Sequence, residues 1–327
     1  MSAILEVSSL STHYHTRRGL LRAVDNVSFS IDAGETVALV GESGSGKSVT
    51  ALSILGLVPS PPGEIVAGSI MFEGTDLRTL SDDKMARIRG NRISMIFQEP
   101  MTSLNPILTI GKQLTEGMIH HMRLTQKQAD ARAVELLASV GISEAASRLR
   151  QYPHQFSGGM RQRIMITMAL ACNPTLIIAD EPTTALDVTT QAQILSVLKK
   201  LTRETGIAVM IITHDLGVVA RMADSVNVMY GGRIVESGTS REVFAIPRHP
   251  YTRGLLASVP RIGGLQSSRL KPIEGSPPDM AGLPTGCAFH PRCPLAAGVC
   301  AQDVPALERQ DMSHAAACWV ENERAKT

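Results

Sequence analysis

Apolar and polar positions divide the chain into short buried runs and longer amphipathic ones. Thr36-Val37-Ala38-Leu39-Val40 follows the turn Asp32-Ala33-Gly34-Glu35 and has the unbroken apolar texture of a parallel strand covered on both faces. Residues 93–97, 176–179 and 209–212 repeat that texture and predict three more core strands. Earlier in the chain, Leu5, Val7 and Leu10 lead into a polar loop, and Val24, Val27, Phe29 and Ile31 alternate only partly, which predicts short strands. Helical patterning covers 47–55, stopped by Gly56 and Pro59, and 105–170, where Thr125 and Gln128 form a capping-box pattern and Gly141 ends that helix. A helix between the last two core strands carries Ile194, Leu198 and Leu201 on one face and closes at Gly206. Residues 226–230, Gly231-Gly232 and Arg233-Ile234-Val235 predict a hairpin with a two-residue turn. Alternating strands and helices imply an α/β fold with a largely parallel, covered sheet, a strand-rich amino-terminal flank and a helical insertion.

Composition narrows the classes. Of 327 residues, 43% are hydrophobic and 19% charged, enough to build a core and too ordered for a collagen or a disordered chain. The net charge of +2 does not suggest a nucleic-acid partner, and 3% aromatics leave little for base stacking. No apolar run approaches the ~18 residues of a membrane span, and the first residues lack the order of a signal peptide, so a cytosolic chain is expected. Five cysteines in that setting point to metal or burial before disulfides. Cys172, within an apolar helix, reads as a small buried hydrophobe. Between 260 and 286 ten of 27 residues are Pro or Gly, the texture of a linker or extended arm.

Chemistry concentrates at Gly41-Glu42-Ser43-Gly44-Ser45-Gly46-Lys47-Ser48, a G-x-x-x-x-G-K-[ST] loop between a strand and a helix. Gly41, Gly44 and Gly46 let backbone N–H groups, with that of Ser43, converge on phosphate oxygens, and the helix start adds a positive dipole end. Lys47 is placed to neutralise β and γ phosphates, and the Ser48 hydroxyl to hold Mg²⁺. The run 176–179 ends in Asp180 and Glu181: the first reaches the Mg²⁺ shell, the second polarises an attacking water.

Ser157-Gly158-Gly159-Met160-Arg161-Gln162 lies 23 residues before Asp180 and, beside the two motifs above, resembles the signature of ABC-type ATPases. The family pattern is Leu-Ser-Gly-Gly-Gln; Phe156 and Met160 depart from it, which puts in question how much this half-site adds to hydrolysis. Gln98 resembles the Q-loop glutamine, a Mg²⁺ and water sensor. Ala185-Leu186-Asp187 resembles the D-loop, and His214 the switch histidine on the γ-phosphate. Tyr14, 27 residues before Gly41, resembles the aromatic that stacks on adenine. The resemblance spans about 4–240, with a helical subdomain at about 100–165. It implies a P-loop NTPase core with an amino-terminal antiparallel β subdomain, and a head-to-tail ATP sandwich in which Ser157, Gly158 and Gly159 cap the partner's nucleotide. One phosphate loop and one signature make this half of an engine. The 58 residues between Gln98 and Ser157 suit a compact helical subdomain that docks on a permease, with no room for a long coiled coil.

Beyond 240, Pro247-Arg248-His249-Pro250-Tyr251-Thr252 with Leu255-Leu256, and the stretch 96–106 around Gln98, are similar to the dipeptide, oligopeptide and nickel importers. That subfamily implies ATP-driven bacterial uptake at the cytoplasmic face of the inner membrane. Two permease subunits, an extracytoplasmic binding protein reached through them and a second, related ATPase chain would be partners, with no nucleic acid. Nickel or another small solute, a soluble non-transport ABC protein and a poorly hydrolysing regulatory subunit stay open as alternatives. The extension, 241–327, carries Cys287, Cys293, Cys300 and Cys318 at C-x5-C-x6-C-x17-C, with Pro294 after Cys293. A four-iron four-sulfur cluster, a Zn²⁺ or free thiols are compatible with that spacing, and His290 and His314 are spare ligands. Members of the importer ATPases carry such a cluster, and its expected role is to brace the extension.

Overall fold

The computed structural model describes residues 3–98, 103–183, 187–258, 272–309 and 313–324. The chain divides into two compact units: Ala3–Ile31 with Thr36–Arg78 and Thr213–Thr327, and Asp32–Glu35 with Thr79–Ile212.

The first unit opens with β1 (Ala3–Thr16), β2 (Gly19–Asp32) and β3 (Thr36–Val40), then α1 (Lys47–Ile54), β4 (Gly63–Phe72) and β5 (Thr75–Asp76). The opening strands are fourteen residues each, longer than expected. Where a polar loop is expected after Leu10, β1 continues, because Ser11 and Thr12 are buried and the Thr12 and Ser53 hydroxyls share a 2.8 Å hydrogen bond. Antiparallel pairing with β4 runs from Leu5↔Phe72 to Tyr14↔Gly63, with register shifts around Ser11. The resulting sheet has the order β2-β1-β4-β5.

The second unit contains α2 (Asp82–Ile88), β6 (Ile93–Ile96), α3 (Ile110–Met122), α4 (Gln126–Ser139), α5 (Ala145–Arg148), α6 (Gly158–Leu170), β7 (Leu176–Asp180), α7 (Val188–Thr205) and β8 (Ala208–Thr213), whose last residue belongs to the first unit. Strands β6, β7 and β8 pair in parallel, with Ile93↔Leu176 and Leu176↔Ala208 in register. Every residue of β7 and β8 is buried, as apolar runs between two covered faces must be. Thr125 and Gln128 make the expected capping box at α4. Helix α7 buries Ile194, Leu195 and Leu198, and Gly206 ends it in the left-handed region.

The chain then returns to the first unit with α8 (Leu216–Met222), β9 (Ser225–Tyr230), β10 (Arg233–Thr239), α9 (Ser240–Ala245) and α10 (Pro250–Ala257), followed by β11 (Glu308–Arg309), β12 (Ala315–Ala316) and α11 (Trp319–Arg324). The hairpin at Gly231-Gly232 has both glycines at positive φ, the conformation a two-residue turn demands. In this unit β3 pairs in parallel with β9, and the strands continue in the order β3-β9-β10-β12-β11. The tail therefore adds its own strands to the sheet that carries the phosphate loop. Of the arm expected at 260–286, residues 260–271 lie outside the described residues, and 272–286 contain no helix or strand. No described helix is long and apolar enough to cross a membrane.

Candidate functional site

The phosphate loop is held by its glycines in two different ways. A Cβ on Gly41 would lie 2.2 Å from the Met229 carbonyl oxygen, and one on Gly46 2.3 Å from that of Ala23. Both residues also sit at positive φ, so close packing and conformation together exclude a side chain. Gly44 has φ +79° but open space around it, so conformation alone selects glycine there. Inside the loop the buried Lys47 Nζ donates to the carbonyls of Gly41 (2.8 Å) and Glu42 (2.9 Å) and to Ser45 Oγ (3.3 Å). Helix α1 begins at Gly46 with no side-chain cap, which leaves its first N–H groups aimed along the loop. Ser48 is half-buried in its first turn, and Ser43 is exposed. Tyr14, half-buried on β1, faces Gly63 on β4, and burial raises its phenol above the ordinary value. His214 is exposed just after β8. The next residue, Asp215, caps α8 by accepting from the N–H groups of Gly217 and Val218.

The second unit holds the acidic pair. Asp180 is buried at the end of β7. Glu181 follows with φ 46°, a left-handed conformation that a non-glycine residue adopts only when its surroundings impose it. Its N–H donates to the Ile212 carbonyl at 2.8 Å, which fixes the turn. Gln98 Nε2 donates to Glu181 Oε2 at 2.8 Å, so two residues 83 positions apart meet at this carboxylate. Ser157 caps α6 by accepting the Met160 N–H at 3.4 Å, and Gly158 and Gly159 form its first turn. A Cβ on Gly159 would come within 2.7 Å of Thr190 Cγ2. Phe156 is buried, with the Arg148 guanidinium over its ring at 5.8 Å, so this departure from the signature serves as core. Asp187 caps α7 through both the N–H and the hydroxyl of Thr190, and those bonds hold its carboxyl below the usual range. Ala185 and Leu186, and residues 99–102 of the stretch around Gln98, lie outside the described residues.

Cys287, Cys293, Cys300 and Cys318 line one small cavity together with His249 and His290. All are free thiols, as is Cys172, which is buried as expected. Burial, reinforced by the other three thiols, pushes Cys287 up to about 11. The four donors thus converge, but among the described residues no group of three or more metal-ligating side chains is set to hold a metal ion. His314 is not a spare ligand: its Nε2 is 2.7 Å from Glu236 Oε1. That fully buried carboxylate also accepts the N–H groups of Arg248 (2.7 Å) and His249 (2.8 Å). Burial lowers His249 to about 4 and keeps it neutral, and its Nδ1 accepts the Tyr251 N–H as the cap of α10. Neither this knot nor the strained backbone at Glu181 has a signal in the sequence, because both depend on partners far along the chain.

Known proteins share this fold. Residues 24–184 match the family described as ABC transporter. A dimeric ATP-binding cassette, MJ0796, in a post-hydrolysis state bound to ADP and Pi, superposes with TM-score 0.65 at 30% identity over 72% of this chain and 99% of its own. The cassette cbiO1 from Clostridium perfringens, part of an ABC transporter complex, superposes with TM-score 0.63 at 28% identity over 75% of this chain and 92% of its own. The molecule is an ABC-type ATPase.

Its place within that class is narrower. Residues 235–300 match the oligopeptide/dipeptide transporter C-terminal region. The dipeptide transport ATP-binding protein DppD of Bacillus subtilis is 51% identical over 100% of this chain and 97% of its own length. The oligopeptide transport ATP-binding protein AppD of the same organism is 52% identical over 99% and 98%. The chain belongs to the family of dipeptide and oligopeptide transport ATP-binding proteins.

Proposed function

We propose that this protein is the ATP-hydrolysing subunit of a bacterial peptide importer. Full-length identity to transport ATP-binding proteins supports the substrate class, and the Gln98–Glu181 hydrogen bond is the observation that carries the chemistry. Lys47, the loop N–H groups from Gly41 to Gly46, and Ser43 bind the phosphates, and Tyr14 stacks on the adenine. Ser48, Gln98 and Asp180 would hold Mg²⁺, which when bound would supply charge neutralisation at the γ-phosphate. All three are oxygen donors, the kind that this hard cation prefers. Glu181 orients the attacking water, with Gln98 fixing the carboxylate, and His214 contacts the γ-phosphate. Ser157, Gly158 and Gly159 cap the nucleotide of a second, related ATPase chain. Two membrane permeases and, through them, an extracytoplasmic binding protein complete the assembly, with this subunit peripheral at the cytoplasmic face.

The cassette is assigned to 1–240 and the extension to 241–327. We further propose a four-iron four-sulfur site at the four cysteines: their convergence on one cavity supports it, although among the described residues they are not grouped around a metal position. Iron and sulfide analysis of anaerobically purified protein, with Cys293→Ser as control, tests it.

For the main reading, Glu181→Gln in the assembled complex is expected to lower turnover by about 10²–10⁴-fold, the usual worth of a positioned base, while ATP binding persists. Turnover equal to the wild type would remove Glu181 from this role. ATPase activity in proteoliposomes that rises with peptide and not with nickel would support the peptide assignment, and the reverse would overturn it.

A further inference from the structure

The phosphate loop carries an acidic residue where it is to receive a polyanion. Glu42 directly follows Gly41, and its carboxylate would repel the phosphates that the loop N–H groups attract. The carboxylate is not left alone. Arg292 Nη1 donates to Glu42 Oε2 at 2.7 Å and Nη2 to Oε1 at 3.1 Å, a two-pronged contact across 250 residues of sequence. The Arg292 side chain is only 6% exposed. Its remaining donors are also used: Nη1 reaches the Tyr230 hydroxyl (3.2 Å), Nη2 the Ile273 carbonyl (3.4 Å) and Nε the Glu274 carbonyl (3.0 Å). All five N–H groups of Arg292 are therefore engaged, so it holds one orientation. The rings of Tyr230 and Phe289 lie beside it, each 5.9 Å from the guanidinium carbon. A second tie comes from α10, where the buried Tyr251 hydroxyl accepts the Glu42 backbone N–H at 2.8 Å. Both anchors lie in the carboxy-terminal region, and both act on one loop residue.

We infer that Arg292 is a positioning residue for nucleotide binding: it neutralises Glu42 and fixes the phosphate loop in its anion-accepting form, with Tyr251 as a second anchor. The inference rests on the reading that Gly41–Ser48 binds ATP. It assigns the extension a direct part in the ATP site. The physical reason is asymmetry. With Arg292 in place, the Glu42–Arg292 pair is neutral and locks the loop. Without it, the phosphate loop carries an uncompensated carboxylate one residue after Gly41, and a negative charge in a loop that receives a polyanion is costly.

The test is MgATP binding to full-length protein carrying Glu181→Gln to prevent turnover, read with a fluorescent ATP analogue and competition by ATP. Arg292→Ala is expected to weaken binding about 10–100-fold. Arg292→Lys, which keeps the charge and loses the fork, should stay within roughly 3–10-fold of the parent. Adding Glu42→Gln to Arg292→Ala should recover most of the loss, to within about 3-fold. A mere structural brace has no such rescue, because the double variant restores no contact. Thermal midpoints of each variant separate misfolding from weak binding. Wild-type affinity in Arg292→Ala, or equal weakness in the single and double variants, would overturn the proposal. Lys47→Ala is the control for the reading beneath it: if that variant also binds ATP normally, the loop assignment itself fails.

Discussion

The phosphate loop and the cysteine-bearing extension keep their shapes by different means. Within the loop, Lys47 is bound by Gly41, Glu42 and Ser45, all within six residues, and Arg292 and Tyr251 add two anchors at Glu42. The extension is tied largely to residues outside itself: its His314 binds Glu236 and its Arg292 binds Glu42. The close packing of the loop glycines fails at one atom of excess. A distributed device tolerates small volume changes and fails when a charged or polar partner is removed.

Four substitutions sharpen this contrast, from the largest effect to the smallest. Gly46→Ala places a methyl 2.3 Å from a backbone oxygen that cannot yield. It should cost over ~3 kcal/mol or abolish ATP binding, since overpacking and a disfavoured φ add; urea midpoints and nucleotide titration check it. His314→Ala strands the buried Glu236 carboxylate with two of its three hydrogen bonds and should cost about 2–3 kcal/mol in the same denaturation assay. Gly44→Ala meets no neighbour and should cost only ~1–2 kcal/mol for its positive φ, with ATP binding retained. Comparable losses in Gly44→Ala and Gly46→Ala would show that conformation and not packing dominates the loop.

The smallest effect belongs to Glu242. Hydroxyls of Ser313 and Thr239 hold its carboxyl down to about 2. A depressed carboxyl stabilises the fold fully above its unfolded value near 4.5 and loses that contribution as pH falls toward 2. Glu242→Gln should therefore lower stability slightly at pH 7 and flatten the acid side of the pH–stability curve. An unchanged acid limb would show that the cap bonds do not depend on the charge.

Much of the ATP machinery was legible in the sequence because local rules govern it. The phosphate loop, the Thr125–Gln128 box and the Gly231-Gly232 turn each need only a few adjacent residues in the right order. Strand β4 has no clear signal in the sequence: its apolar residues come as two clusters, Ile65-Val66-Ala67 and Ile70-Met71-Phe72, that break alternation around Gly68, which is held at φ +92°. The length of β1 is hidden in the sequence because polar Ser11 and Thr12 read as loop, yet both are buried: Ser11 accepts the Asn26 N–H of β2 and Thr12 shares a hydrogen bond with Ser53 of α1. The link between Glu42 and Arg292 has no sequence signal at all, since nothing in either neighbourhood names the other.

The late position of β12 in the chain has a consequence for synthesis. Strand β10 is completed on its outer side by β12, which pairs Glu236 with Ala316 and Ser237 with Ala315. Those partners leave the ribosome roughly 80 residues after β10, an interval of about 4–16 s at ordinary elongation rates. Until then β10 presents an open hydrogen-bonding edge and an acidic side chain destined for burial. The nascent cassette thus passes through an interval of exposure to misplaced strand pairing, and its sheet is finished only by a tail made much later.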